Sequence, residues 1–294
     1  MSLGSQPVKN DSDTVARENF DAMKNGMRLL IIAAAGLALL AGTGCAKLQA
    51  RDNLNKGVQA YKNAKYEEAI NRFQKAVDLD PTLLNARLYL ATAYANQYIP
   101  GADTEDNNRL ANQAIDQFKK VLEMNPERDQ QTTSLKGIAS LYFNMKKMDD
   151  AKQFHNKVAQ VDPNDPETYY SIGVIDWTES YQPRMEERAK LGLKPEEPLK
   201  DKKVCGQLKA KNSAVVKDGI DNLKKALDLR PDYDDAMAYL NLMYRERADL
   251  ECDDPAARSA DLKTADEWVD KTMATKKAKA EKQPVTGGIQ LDQK

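Results

Sequence analysis

Large apolar residues along this chain recur at spacings of three and four, with polar residues between them. One such run is Tyr170, Val174, Trp177 and Tyr181, whose spacing places all four side chains on one face of an α-helix. Two distant segments, YEEAINRFQKAVDLDP at 66–81 and DGIDNLKKALDLRP at 218–231, have nearly the same pattern. Each ends in a proline, which cannot continue a helix. The pattern predicts an all-α protein in which one helical element is repeated.

The prolines that end such segments give the period of the repeat. They are Pro81, Pro126, Pro163 and Pro231, and the steps between them are 45, 37 and 68 residues. A tetratricopeptide repeat, which is a hairpin of two helices A and B, has a period of about 34 residues. The first segment matches the pattern of that family at Gly57, Tyr61, Tyr66, Ala69, Phe73, Ala76 and Pro81. The chain therefore resembles the tetratricopeptide repeat (TPR) family.

The resemblance implies a TPR-like α-solenoid of about five helix-turn-helix units with insertions in the A–B turns. The units are expected at about 53–81, 82–126, 127–163, 164–231 and 232–276. Equivalent turns of stacked repeats share one edge, so the insertions should decorate that edge. In the largest insertion we expect helix A to end near residue 182, a short separate helix at 184–191, and helix B to be extended from residue 201. This charged insertion is either a solvated elaboration or a partner-specific surface.

The N-terminal region has the layout of an exported protein. Residues 23–44 contain Lys24 and Arg28, then an apolar run too short to span a bilayer comfortably, then small residues before Cys45. This segment resembles a bacterial lipoprotein signal, in which the cysteine is lipidated, although Gly42 stands where that signal usually has Leu. Residue 46 is Ala and not the Asp that is associated with inner-membrane retention of lipoproteins. The resemblance therefore implies the outer membrane, facing the periplasm. Plain secretion and an uncleaved anchor are the alternatives.

Around this signal the sequence predicts segments outside the fold. The polar stretch 1–22 precedes the signal, and Met23 or Met27 would then be the true start. Residues 45–52 are expected to link the anchor to the repeats. Residues 277–294 are expected to be a disordered tail, with contact of its lysines with anionic lipid or peptidoglycan as the alternative.

Composition and charge narrow the classes of function. Lys and Arg total 44 and Asp and Glu total 45, so no global basic field attracts nucleic acid. The three cysteines are too scattered for a zinc site, and we expect no metal and no cofactor. His155 is the single histidine of the chain. It lies close to the position at which the TPR family has a packing aromatic residue, so we interpret it as structural. No nucleophile, base and orienting group come together in the pattern, so we expect no enzymatic activity.

Cys205 and Cys252 lie in the insertions of neighbouring repeats. If equivalent turns share one edge, these cysteines are close together, and export to an oxidising compartment would favour a disulfide between them. The alternatives are two free thiols or a buried Cys252.

The resemblance also implies a binding surface, because helices A line the concave side of a TPR stack. The candidate partner-binding residues are Tyr61, Phe143, Tyr170, Val174, Trp177 and Tyr181. The Lys and Asn pair with which clamp-type TPRs hold an acidic chaperone tail is absent, since the matching positions are Leu54 and Val58. An extended or helical peptide with apolar anchors is favoured. The alternative is that the aromatic residues of 170–181 pack under the insertion.

The sequence therefore favours a non-catalytic protein–protein interaction scaffold tethered to a bacterial envelope membrane. An accessory subunit of an outer-membrane, pilus, secretin or peptidoglycan assembly machine is a narrower alternative that rests on analogy. An enzyme or enzyme subunit and a purely structural, self-associating protein are alternatives of other classes.

Overall fold

The computed structural model describes residues 44–194 and 197–282, and these residues form ten helices and no strand. The leader 1–22 and, except for Gly44, the signal 23–44 lie outside the described residues. The helices are α1 (44–62), α2 (Tyr66–Leu79), α3 (Leu84–Gln97), α4 (Glu105–Leu122), α5 (Arg128–Asn144), α6 (Met148–Val161), α7 (Pro166–Lys190), α8 (Lys202–Leu229), α9 (Asp234–Ala248) and α10 (Pro255–Lys282).

The described chain divides into two compact units, one that ends at Tyr89 and one that begins at Leu90, within α3. In the first unit, α1 and α2 cross closely at Gly57. A Cβ atom at Gly57 would lie 2.5 Å from the Phe73 ring, so only glycine allows this approach. Phe73 and Ala69 are buried, and the Phe73 ring stacks on Tyr89 at 5.7 Å.

Helix α1 begins earlier than the repeat pattern indicates. Residues 45–52, which we expected to be a linker, belong to this helix. Ala50 is fully buried, and the Asn53 side chain donates a hydrogen bond to the Gln49 carbonyl within the same helix. The first hairpin therefore starts at the candidate lipidation site, Cys45, whose side chain is exposed.

The A–B turns of the first and third hairpins have the same backbone geometry. Ala64 and Lys146 both lie seventeen residues before the proline that follows helix B, and both have positive φ angles, 58° and 60°. After each of them the next residue donates its backbone N–H to a carbonyl five residues back, as Lys147 does to Tyr142. This tight turn connects α1 to α2 and α5 to α6, whereas the turns with insertions follow other paths.

In the second unit each helix packs on its neighbours along the chain, from α4 on α5 to α9 on α10, and α7 also packs on α9. A group of buried hydrophobic residues lies among α8, α9 and α10. It includes Leu208, Ile220, Leu223, Leu240 and Met243, with Tyr170 and Trp177 of α7 packed against it. This part of the core therefore belongs to the two hairpins that contain the longest helices.

The insertion between α7 and α8 has a different structure from the one that we expected. Helix α7 is one continuous helix to Lys190, so the separate short helix at 184–191 is wrong. Pro183 lies inside α7, where a proline costs about 3 kcal/mol relative to a favourable helix residue. Tertiary contacts offset that cost, because Arg184 and Arg188 on the following turns are both buried. Helix α8 begins at Lys202, capped by the Asp201 carboxylate.

Buried charges hold this insertion in place, so it is not simply a solvated elaboration. Arg188 is fully buried, and its guanidinium donates hydrogen bonds to Asp249 Oδ2 at 2.8 Å and to the Glu197 carbonyl at 2.7 Å. Arg184 lies 2.7 Å from Glu246 Oε2 and 2.8 Å from Asp249 Oδ2. The end of α7 is thereby tied to the end of α9.

A disulfide joins the same two insertions. Cys205 in the first turns of α8 is bonded to Cys252 in the α9–α10 turn, with their Cα atoms 5.6 Å apart. Cys205 is buried and Cys252 is partly exposed. The insertions of the fourth and fifth hairpins therefore lie at one edge of the second unit.

The last helix extends past residue 276, where we expected the ordered repeats to end. Helix α10 continues to Lys282, and Lys279 forms an ion pair with Asp234 at 2.6 Å. Residues 277–282 of the expected tail are therefore helical, and 283–294 lie outside the described residues.

Candidate functional site

A cavity opens between helices α5, α6, α7 and α9 of the second unit. Its volume is about 360 Å³, and its lining residues are Ser140, Phe143, His155, Tyr170, Ser171, Val174 and Tyr239. We call this cavity the His155 pocket. Three of the residues proposed from the sequence, Phe143, Tyr170 and Val174, lie in its wall. The spacing of Tyr170 and Val174, one turn apart on α7, directs both to the same side of the helix.

The remaining aromatic candidates on α7 lie beside the pocket in an aromatic cluster that α9 completes. The cluster consists of Tyr170, Trp177, Tyr181, Tyr233 and Tyr239. Trp177 contacts Tyr181 with ring centroids 4.8 Å apart, and Tyr239 meets Trp177 edge-on at 5.4 Å. Tyr239 also meets Tyr170 edge-on at 5.6 Å. These residues are half-buried, apart from Tyr233, which is buried.

Polar contacts fix the end of the cluster at the N-terminus of α7. The Tyr233 hydroxyl donates a hydrogen bond to Glu167, and Arg230 forms a 2.7 Å ion pair with the other oxygen of the same carboxylate. The Arg230 guanidinium lies 4.4 Å from the centroid of the Tyr233 ring. Burial raises the pKa of Tyr170 to about 12, with a smaller contribution from Tyr239, so this phenol is neutral at physiological pH.

His155 is one of the polar residues of the pocket. The imidazole is 8% exposed, and its Nδ1 atom has no hydrogen-bond partner in the described structure. Burial lowers the pKa of His155 to about 4, and the positive charge of Lys136 lowers it further while Asp165 opposes the shift. The ring is therefore neutral at physiological pH.

An ion pair lies close to this imidazole and belongs to the framework of the site. Lys136 Nζ on α5 lies 2.7 Å from Asp165 Oδ2, and Asp165 caps the N-terminus of α7 by accepting the backbone N–H of Thr168. These hydrogen bonds lower the pKa of Asp165 although its partial burial raises it. The pair holds α5 and α7 at a fixed separation on either side of the pocket.

The other residues proposed from the sequence lie elsewhere. Tyr61 belongs to the first unit, where its ring contacts Tyr66 edge-on at 5.4 Å. Cys45 lies in the first turn of α1, and Cys205 and Cys252 form the disulfide at the insertion edge. Tyr239 and Tyr233 also belong to the site, although the sequence pattern did not indicate them. Tyr239 lies in α9, whose apolar residues are interrupted by many polar ones. The sequence of α9 therefore did not indicate which face of the helix would belong to the site.

Across 44–194 and 197–282, no three His, Cys, Asp or Glu side chains come together as metal ligands would. None of the helices within these ranges combines the length and the apolar character that a membrane span requires.

The geometry defines a protein of paired antiparallel helices whose helices A present a partly aromatic surface. Residues 137–165, which include the second half of α5 and all of α6, match the tetratricopeptide repeat family. A comparison with curated protein sequences finds no match. The match identifies the third hairpin as a tetratricopeptide repeat, and the resemblance to the TPR family that was seen in the sequence is confirmed.

Solved structures of TPR proteins have the same fold. A crystal structure of MamA superimposes with a TM-score of 0.54 at 13% identity and covers 82% of this chain and 98% of its own. MamA from Desulfovibrio magneticus RS-1, from residue 41 to its end, gives a TM-score of 0.52 at 17% identity and covers 78% of this chain and 96% of its own. At such low identity the likeness concerns the fold alone. The predicted fold class, an all-α TPR-like α-solenoid, is confirmed.

Proposed function

We propose that this chain is a non-catalytic scaffold that binds a protein partner on the helix-A surface of its second unit. The binding surface consists of the His155 pocket and the adjoining aromatic cluster. The partner contributes apolar side chains that enter the pocket, and the half-buried rings contact the rest of the bound segment. Tyrosine and tryptophan are the residues that most often dominate the energetics of such interfaces.

The observation that carries this proposal is the state of the aromatic residues on α7 and α9. Tyr170 and Tyr239 are held in an edge-on contact with each other, yet both line an open cavity of about 360 Å³. A packed core would close such a space, since protein interiors leave few voids larger than a water molecule. A pre-formed, partly apolar concavity with few polar groups is typical of binding sites.

Site-specific crosslinking tests the proposal. A photoreactive residue at position 171, in the pocket wall, should crosslink to one partner protein in the native cells. The matched control carries the same residue at position 225, an exposed lysine on α8 that lies outside the pocket. Crosslinks that are unique to position 171 support the proposal. The same set of products from both positions would contradict it.

We also propose that the protein is exported and is tethered through a lipid on Cys45 to the outer membrane, facing the periplasm. The pattern of residues 23–45 supports this. Because Cys45 is exposed in the first turn of α1, the lipid would join the first hairpin with almost no spacer. The acyl chains would then hold the first unit close to the membrane surface.

Metabolic labelling with a fatty acid tests the tether. The wild-type protein should incorporate the label and sediment with membranes, and Cys45→Ser should lose the label. Because Cys205 and Cys252 are bonded to each other, Cys252→Ser is the matched control and should keep the label. Equal labelling of wild type and Cys45→Ser would exclude lipidation at this residue.

A further inference from the structure

A second concavity lies between helix α8 and the segment in which α9 ends. Its volume is about 380 Å³. Residues of α8 between Lys209 and Lys224 form one side of it, and Arg247, Leu250 and Glu251 form the other. We call this concavity the α8 cleft. None of the residues described in its wall belongs to the His155 pocket, so a ligand of the cleft would contact a different surface of the second unit.

The cleft is formed largely by insertions that the repeat itself does not require. Helices α2, α6 and α8 each end two residues before the proline that follows them, but α8 has 28 residues whereas α2 and α6 have 14. The additional first half of α8 supplies Lys209 and Ser213 to the wall, and the α9–α10 turn supplies Leu250 and Glu251. Connecting segments on a rigid scaffold often carry the residues that bind partners. The cleft is therefore a candidate for a contact specific to this protein.

A covalent bond and an ion pair hold the two sides of the cleft together. Cys205 lies one helical turn before Lys209 on α8. Cys252 directly follows Glu251, so the disulfide between Cys205 and Cys252 connects the two sides. The Lys209 ammonium also lies 3.5 Å from Glu251 Oε2. A site that is fixed in advance loses little conformational entropy when a ligand binds.

The cleft is positively charged, although the chain as a whole is not. Four side chains in its wall are cations and two are carboxylates. Helix α8 has seven lysines and three aspartates, whereas the whole chain has a formal net charge of −1. A local excess of one sign of charge in a concavity attracts ligands of the opposite sign. The cleft therefore favours an anionic ligand.

Lys224 is the cation of the wall that has no carboxylate partner among the described residues. Its ammonium lies 5.7 Å from the centroid of the Tyr244 ring. The two carboxylates of the wall are already paired, one with Lys217 at 2.5 Å and one with Lys209. Arg247 donates through Nε and Nη2 to Asp261, a buried carboxylate outside the wall. The positive charge that remains for a ligand is therefore that of Lys224.

We propose that the α8 cleft binds an acidic segment of a partner protein, with one carboxylate of that segment against Lys224. The floor of the cleft consists of the buried side chains of Val216, Ile220 and Leu250, which offer no hydrogen-bonding group. The rim cations must therefore supply the contacts to the anion. Water is excluded on the floor side, and a lower local dielectric strengthens the attraction between the two charges.

Two other anionic ligands fit the cleft less well. A bilayer surface is flat, and its headgroups cannot follow a concave wall. A nucleic acid presents phosphates at a regular spacing along its backbone. The carboxylates of Asp221 and Glu251 within the wall would repel such a continuous row of negative charge. A protein segment can instead place a single carboxylate at Lys224.

Fluorescence anisotropy of labelled peptides tests the proposal with the wild-type protein in its disulfide-bonded form. One peptide is composed of Glu, Leu, Gly and Ser, and the matched peptide has Gln in place of every Glu. We expect the Glu peptide to bind with a Kd below about 1 mM and at least about 5-fold more tightly than the Gln peptide. Its advantage should disappear in about 1 M salt, where exposed charges are screened.

Three variants locate the contact. Lys224→Glu should weaken binding of the Glu peptide by at least about 3-fold, and Lys224→Arg, which keeps the charge, should bind like wild type. Lys211→Glu is the matched control, because Lys211 is exposed on the same helix but does not line the cleft. It changes the net charge of the protein by the same amount and should also bind like wild type.

The assignment is overturned if neither peptide binds, if both bind equally, or if Lys211→Glu and Lys224→Glu lose the same affinity. It is also overturned if phosphatidylglycerol vesicles or single-stranded DNA bind more tightly than the Glu peptide and lose that affinity in Lys224→Glu. The ligand of the cleft would then be a lipid surface or a nucleic acid. Because no residue of the His155 pocket is changed, none of these results decides whether the helix-A surface binds protein.

Discussion

Arg188 and Asp249 form a fully enclosed ion pair across sixty-one residues of sequence, with Arg188 Nη1 2.8 Å from Asp249 Oδ2. The arginine is at the end of α7, and the aspartate follows α9. Asp249 also accepts from Arg184, and Arg188 donates to the backbone of the α7–α8 loop at Glu197. One aspartate therefore organises the insertion that follows the aromatic stretch of α7.

Loss of Arg188 should strongly destabilise the second unit. In Arg188→Ala, the buried charge of Asp249 keeps the ion pair with Arg184 but loses the one with Arg188. The carbonyl of Glu197 also loses a buried hydrogen-bond donor. Breaking a buried ion pair from one side costs about 3–5 kcal/mol. Lys190→Ala removes an exposed ion pair to Glu187 on the same helix and should leave the stability nearly unchanged. Urea unfolding of both variants measures the difference, and equal losses would show that Arg188 does not organise the insertion.

The disulfide should add to the stability of the same edge. It closes a loop of 47 residues between Cys205 and Cys252. Reduction should lower the free energy of unfolding by about 2–4 kcal/mol. Thermal unfolding with and without reductant should show the effect in wild type and in Cys45→Ser, which keeps the bridge, but not in Cys252→Ser. A wild-type Tm that reductant leaves unchanged would contradict this role.

The tight A–B turn of the third hairpin predicts a stabilising substitution. Lys146 has a φ of 60°, a conformation that costs a side-chain-bearing residue about 1–2 kcal/mol and glycine almost nothing. Lys146→Gly should therefore raise the stability by about 1 kcal/mol. Lys157→Gly is the matched control and should destabilise the protein, because Lys157 lies inside α6, where glycine is a poor helix residue. Denaturant midpoints compare the two, and a destabilised Lys146→Gly would count against the turn geometry.

His155 should make the free energy of unfolding depend on pH. Replacing His155 should show the direction of that dependence. Burial and Lys136 lower the pKa of His155 to about 4, below the value of about 6.5 in an unfolded chain. The unfolded state therefore binds more protons between these values, and His155 destabilises the folded protein progressively as pH falls from about 6.5 to 4. Asp165 opposes this shift, and Tyr170 and Tyr239, which face the ring from α7 and α9, are neutral in this range.

The comparison of His155→Phe with wild type isolates this effect. Buried Asp176 and Glu246 have pKa values raised to about 7 and titrate the opposite way, but they do so in both proteins. We expect His155→Phe to be the more stable protein at pH 7 and its advantage to grow by up to about 3 kcal/mol at pH 4. Unfolding curves at several pH values measure this advantage. A constant difference would mean that His155 is exposed to solvent or paired.

The periodicity of the sequence predicts most of the fold because it reports packing between neighbours in the chain. Pro81, Pro126, Pro163 and Pro231 follow the B helices, and Gly57 marks the close crossing of α1 and α2. Such features depend on local contacts that repeat in each hairpin. The end of α7 was harder to predict, because a proline at position 183 predicts that the helix ends there. The buried partners of Arg184 and Arg188 that stabilise the continuous helix lie on a distant segment.

The site was predictable only in part for the same reason. The spacing of Tyr170, Val174 and Trp177 placed them on one face of one helix, and the structure shows that face towards α9. Tyr239 was not recognised, since its contribution depends on contact with a helix about sixty residues away. The family resemblance assigned His155 to packing, and its unsatisfied nitrogen became visible only with the surrounding helices in place.

The affinity of the crosslinked partner for two valine variants tests the central claim, that the helix-A surface of the second unit binds protein. Val174→Arg places a charge in the wall of the His155 pocket, and Val269→Arg places the same charge on the exposed surface of α10. Calorimetric titration of the purified partner should give a Kd at least about 10-fold weaker for Val174→Arg and an unchanged Kd for Val269→Arg. Equal affinities of both variants and wild type would contradict the account.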